Sequence, residues 1–172
     1  KEMRNSSLPI VEYNEKGDII KNEENLEVED GKVVENHTGI VKSERSRKIS
    51  KRAFQSNEEH LIYVKLDNKF TEIGNNAFSD CYGLKIVIFI SDNEIHLKKI
   101  CENAFSGDDK LKYFPFEKCL NLTTIEENSF ENVNIKKISL PENIKHLGVD
   151  SFGSPNLEEL SIHPLTKYFN SV

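Results

Sequence analysis

Apolar positions along this chain fall into two interlocked spacings that return together. An aliphatic residue is followed five positions later by phenylalanine: Ile49 and Phe54, Ile73 and Phe78, Ile100 and Phe105, Ile125 and Phe130, Leu147 and Phe152. A small residue stands directly before each aromatic, namely Ala53, Ala77, Ala104, Ser129 and Ser151. Behind it comes a block of the form L-x-x-[VFIL]-x-[FLI]: Leu61, Val64, Leu66; Leu84, Val87, Phe89; Leu111, Phe114, Phe116; Ile135, Ile138, Leu140; Leu157, Leu160, Ile162. The aromatics recur at intervals of 24, 27, 25 and 22 residues. Self-similarity at such a period predicts a solenoid, in which a coil unable to bury its own apolar face buries it against its neighbours.

Within one coil the second block alternates, so Val87 and Phe89 point one way and Ile86 and Ile88 the other, as in a short strand. Asn76, Asn103, Asn128 and Asp150, two residues before their aromatics, are expected to act as helix N-caps. The segment that follows is then a single helical or 3₁₀ turn. Phe70, Leu97, Leu122 and Ile144, each three residues before the next aliphatic, add a second inward pair per coil. The predicted fold is an α/β repeat: a solenoid of short parallel strands and one-turn helices or 3₁₀ turns, with an N-terminal β-hairpin cap. Residues 1–45 form the cap, 46–163 hold five repeats, and 164–172 are a C-terminal cap or the start of a further repeat, through Leu165, Tyr168 and Phe169.

Composition narrows the function. With 37% hydrophobic and 30% charged residues over 172 positions, the chain can bury a real core as one soluble domain. A net charge of −6 argues against general affinity for nucleic acid. No run reaches the roughly 18–20 apolar residues of a membrane helix, so no membrane insertion is expected. The chain opens with Lys1 and shows no signal peptide, from which nothing about export follows.

Cys81, Cys101 and Cys119 cannot all pair and form no CxxC. Cys81 reads as a small buried thiol, whereas Cys101, in the place of Gly74, is expected to be exposed. His37, His60, His96, His146 and His163 lie at unrelated repeat phases, which disfavours a shared metal. HExxH, GxSxG and glycine-rich phosphate loops are absent. No catalytic residues, metal ligands or cofactor are expected. Sequons at Asn5, Asn36 and Asn121 could accept glycan in a secretory pathway.

Before the repeats, IVEY-NEKGD-II and LEVEDGKVVE predict two hairpins, the second turning at Asp30–Gly31. Beyond them Lys42, Arg45, Arg47, Lys48, Lys51 and Arg52 crowd a basic run, either a site for an anionic partner or a solvated edge offset by the acidic hairpins.

The string Ile73, Gly74, Ala77, Phe78, Cys81, Leu84, Val87, Phe89 resembles the BspA-type leucine-rich repeat, and most of its positions recur in four more coils between about 46 and 163. Cys101 and Glu126 depart from the glycine position. The resemblance implies a non-catalytic adhesion or host-interaction module of a surface or secreted protein, with a protein partner such as a host or extracellular matrix protein. Strand alternation gives the outward columns: Tyr63, Ile86, Tyr113, Lys137 and Glu159 in one, Lys65, Ile88, Pro115, Ser139 and Ser161 in the next. Tyr63, Ile86, Ile88, Tyr113, Pro115 and Lys137 are the candidate partner-binding residues, provided that residues 1–45 do not fold across them. The alternatives are an intracellular, cytoplasmic scaffold or spacer, and an anionic-glycan module using the basic run 42–52.

Overall fold

A computed structural model of the protein describes residues 8–56, 59–164 and 166. In chain order its strands are β1 (Ile10–Asn14), β2 (Ile19–Lys21), β3 (Val28–Glu29), β4 (Lys32–Val33), β5 (His37–Lys42), β6 (Lys48–Ile49), β7 (Leu61–Leu66), β8 (Glu72–Ile73), β9 (Ile86–Phe89), β10 (Lys99–Ile100), β11 (Thr124–Ile125), β12 (Lys137–Ser139), β13 (His146–Leu147) and β14 (Glu159–Ser161). They wind into a solenoid. A broad sheet runs β2-β1-β5-β7-β9, and a narrow one runs β13-β11-β10-β8-β6. Apart from the antiparallel β1–β2 pair, neighbours in both sheets are parallel.

The coils stack on one aromatic column. Phe54, Phe78, Phe105, Phe130 and Phe152 lie face to face with successive centroid separations of 4.9, 5.2, 5.0 and 5.9 Å. Offset stacked rings gain roughly 0.5–1.5 kcal/mol per pair beyond the area they bury. Tyr13 closes one end edge-on to Phe54 at 5.2 Å. Of the small residues beside the rings, Ala77, Ala104, Ser129 and Ser151 are fully buried and Ala53 partly so, and the Ser129 and Ser151 hydroxyls have no hydrogen-bond partner.

The segment around each Phe departs from the expected capped helix. The structure has no α-helix among the described residues, and its 3₁₀ helix lies elsewhere, at Phe116–Lys118. Asn76, Asn103, Asn128 and Asp150 have φ of 57, 57, 55 and 53°, as does Arg52 with φ 60°. They therefore reverse the chain in the left-handed region, which Asn and Asp tolerate better than other side chains, rather than cap a helix. Two residues after the ring the chain reverses again, at Ser56, Asp80, Gly107 and Asn132. Between these points the backbone donors alternate. Asn76, Phe78 and Asp80 donate to the next coil, at Glu102, Ala104 and Ser106, while Ala77 and Ser79 close on Gly74 and Asn76 of their own.

Both expected hairpins form, β1–β2 and β3–β4. The N-terminal region also enters the solenoid: β1 lies parallel to β5, and β5 parallel to β7. The inward residues of β5 are His37, Gly39 and Val41, facing Leu61, Val64 and Leu66. Gly39 is required there, because a Cβ would stand 2.8 Å from Leu61 Cδ1 and 3.2 Å from the Tyr13 ring. The Tyr13 hydroxyl donates to His37 Nε2 at 2.7 Å, and Nδ1–H donates to the Glu35 carbonyl at 2.8 Å, so the buried imidazole is neutral and fully bonded. Its pKa is held below the ordinary histidine range by burial.

Glu15 staples this region to the first repeat. Its Oε1 accepts the backbone N–H groups of Glu44, Arg45 and Ser46 at 2.8, 2.6 and 2.9 Å. Burial opposes the charge, but the three donors outweigh it and hold the carboxyl below its usual range. Asp108 is the opposite case. Its Oδ1 accepts the Cys81 N–H at 2.8 Å, its Oδ2 has no partner, and burial, aided by the charges of Asp80 and Asp109, pushes its pKa well up.

Candidate protein-binding face

The broad sheet turns one face to solvent, and its register sets side chains in columns. Ile10 pairs with Thr38, Thr38 with Tyr63, Tyr63 with Ile86, and an isolated bridge joins Ile86 to Tyr113. In the adjoining column Glu12, Ile40, Lys65 and Ile88 stand side by side. Tyr63, Ile86 and Tyr113 are half-buried, and Ile88 is 36% exposed. The N-terminal strands extend this sheet edge to edge, and in its first column Thr38, between Ile10 and Tyr63, is buried. Ile10 and Ile90, 43% and 49% exposed, belong to the same apolar surface although the repeat pattern did not select them. Alternation along Ile86, Ile88 and Ile90 was the signal for the second; the first needed the β1–β5 register.

Two candidates lie elsewhere. Pro115 is buried, with φ −82° and ψ 61°, and the Phe116 N–H donates to the Phe114 carbonyl across it at 2.9 Å. That geometry is an inverse γ-turn, formed where a residue without an N–H cannot extend a ladder. It folds Phe114 and Phe116 together into the core and starts the 3₁₀ turn, so the expected extended strand breaks here. Lys137, exposed on β12, stands beyond the break in a separate pair with β14, facing Glu159. The structure therefore gathers Tyr63, Ile86, Ile88 and Tyr113, but neither Pro115 nor Lys137.

The Tyr113 hydroxyl donates to Glu117 Oε1 at 2.8 Å. Burial and that carboxylate push its pKa up, and burial does the same for Tyr63. Both phenols stay neutral donors in any physiological setting.

Beside the narrow sheet lies a shallow groove of about 480 Å³, with Lys48, Lys51 and Lys99 set against Glu72, Glu102 and Glu126. Cys101 lines it but is only 5% exposed, contrary to the expectation from its place in the repeat, and burial together with Glu72 and Glu126 pushes its thiol up to about 12. Cys81 and Cys119 are fully buried. Burial pushes the Cys119 thiol up to about 12 as well, so neither Cys101 nor Cys119 has the lowered pKa of a nucleophile. Among the described residues no cluster of three His, Cys, Asp or Glu is placed to hold a metal, and no helix is long and apolar enough to cross a membrane. The sequon at Asn5 and the tail residues Leu165, Tyr168 and Phe169 lie outside the described residues.

The profile of BspA type leucine rich repeat regions, in 6 copies, matches residues 90–171. These coils are BspA-type leucine-rich repeats. A leucine-rich cell surface protein of Faecalibacterium prausnitzii superposes with a TM-score of 0.64 at 23% identity, over 77% of this chain and 37% of the other. A leucine-rich repeat protein of Bacteroides ovatus does so with a TM-score of 0.55 at 29% identity, over 66% of this chain and 28% of the other. The chain thus spans about a third of the length of these structures. No curated protein sequence matches it.

Proposed function

We propose that this BspA-type solenoid is a non-catalytic protein-binding module of a surface or secreted protein, and that it binds through the open face of the broad sheet. The observation that carries this reading is the in-register apolar run Tyr63, Ile86, Tyr113, flanked by Ile88 and Ile90, with Ile10 exposed beyond the buried Thr38. Contiguous exposed apolar surface with aromatic members favours partner contact, since aromatic anchors carry a large share of interface energy. The F. prausnitzii neighbour, described as a cell surface protein, supports the location.

The test is binding to a panel of immobilised extracellular-matrix proteins, comparing the native chain with an Ile86→Ser, Ile88→Ser, Tyr113→Ala variant of matched melting temperature. Affinity for the bound protein should fall at least ~100-fold, since two aliphatic contacts and an aromatic anchor are worth roughly 3 kcal/mol or more together. Retention of full affinity by the variant would move the contact to another face.

A further inference from the structure

The basic run at 42–52 is the head of a longer feature that only the stacked coils reveal. At the corner leading into the narrow sheet, the backbone of Thr71 donates to Arg47, Lys98 to Thr71, Thr123 to Lys98 and Lys145 to Thr123, at 2.8 to 3.0 Å. These five positions form one column parallel to the solenoid axis. The column beside it is set by strand register: Lys48, Glu72, Lys99, Thr124 and His146. Arg45, Lys69 and His96, each three residues before a narrow-sheet position, are exposed on the same corner.

On these positions one carboxylate, Glu72, stands among seven lysines and arginines, with Glu102 and Glu126 in the groove alongside, in a protein whose net charge is −6. Lys99 pairs with Glu126 at 3.8 Å, but Arg45, Arg47, Lys48, Lys69, Lys98 and Lys145 make no ion pair among the described residues. Of the acidic N-terminal hairpins, Glu15 holds its carboxylate against the Glu44, Arg45 and Ser46 backbone at the head of the ridge, whereas Glu12 and Glu23 pair with Lys21. Thr71, Thr123 and Thr124, partly exposed, set hydroxyls between the cations.

We propose that this ridge binds a linear sulfated polysaccharide laid along the solenoid axis. With coils about 4.8 Å apart, the column from Arg47 to Lys145 spans about 19 Å and places a cation or a hydroxyl at every step. A polymer with roughly one anionic group per sugar matches that repeat, and guanidinium and ammonium donors suit sulfate and carboxylate oxygens. The shape disfavours other polyanions. With no large apolar side chain on these columns a lipid surface has nothing to receive, and without a Phe or Tyr there is no platform for stacked bases.

Surface plasmon resonance on immobilised heparin, with the folded chain in physiological salt, tests this. The variant Arg47→Glu, Lys98→Glu, Lys145→Glu should bind at least about tenfold more weakly, as should its Gln counterpart in smaller measure. The variant Lys85→Glu, Lys112→Glu, Lys136→Glu carries the same charge change on exposed lysines of another corner and should keep most of the affinity. Hyaluronan, unsulfated and of much lower charge density, should bind much less than heparin. Equal loss in both triple variants would reduce the effect to net charge and overturn the proposal. So would the absence of heparin binding by the native chain, equal binding of hyaluronan, or tighter binding to phosphatidylserine vesicles or oligothymidylate. Because the ridge and the broad-sheet face are different surfaces, either assignment can fail without the other.

Discussion

Replacing Phe105 by alanine removes the middle ring of the stack. Its side chain is fully buried, sandwiched by Phe78 at 5.2 Å and Phe130 at 5.0 Å and met edge-on by Phe114 at 5.4 Å. The coil backbones are tied to both neighbours by hydrogen bonds through Phe78, Phe105 and their flanking residues, so the cavity cannot close by sliding one coil toward the next. A truncated buried phenylalanine costs about 3–5 kcal/mol, and this site belongs at the upper end because it loses ring contacts on three sides. Phe152, 8% exposed at the last ring, has one stacked neighbour at 5.9 Å and one edge contact at 5.6 Å, so Phe152→Ala should cost about 2–3 kcal/mol. Urea unfolding followed by far-ultraviolet circular dichroism measures both; tyrosine fluorescence is the second probe, as the chain has no tryptophan. In a quasi-one-dimensional stack the Phe105 variant should also show a shallower transition, as the halves uncouple. A loss near 1 kcal/mol with an unchanged slope, or equal losses at both sites, would refute the reasoning.

Left-handed positions give a second expectation: Arg52→Asn should gain about 0.5–1 kcal/mol and Asn103→Ala should lose about 1 kcal/mol, read from urea midpoints, and reversed signs would contradict the turn geometry. The two buried carboxyls give the third. Glu15 has a lowered folded pKa, so its contribution is present above the ordinary carboxylate range and lost as pH falls through the folded value. Asp108 has a raised one, so its contribution is full below the ordinary range and lost as pH rises. Melting temperatures from pH 3 to 8 should therefore show Glu15→Gln flattening the acid limb and Asp108→Asn flattening the alkaline limb with a gain at neutrality. Parallel profiles for the native chain and the Asn variant would place Asp108 in contact with water.

The repeat was legible because each coil must solve the same packing problem, so Phe105 and its equivalents recur wherever a ring is needed. The strand face was half legible. Alternation assigned Ile86 and Ile88 correctly but carried Pro115 outward, because the pattern assumes an extended chain and a γ-turn spends one residue without advancing. β5 escaped notice since its inward residues are a histidine, a glycine and one valine, chosen to seat Tyr13 rather than to resemble Leu61 and Val64. Asn76 and its equivalents were read as caps because the same short amide serves a helix N-terminus and a left-handed turn, and only the direction of the following chain separates the two. The basic ridge is invisible in a linear reading: Arg47, Lys98 and Lys145 become neighbours only through the stacking.

The alternating donors around each Phe have a mechanical consequence. Bonds between coils in both sheets and in the turns run along the solenoid axis, perpendicular to the strands, so tension along that axis loads the interfaces one after another rather than all at once. Such a body yields by peeling a coil at a time, and each detached coil of 22–27 residues releases roughly 80 Å of slack chain. Fixed at one end and pulled at the other, it would act as an extensible tether that lengthens in steps before anything it holds is torn away.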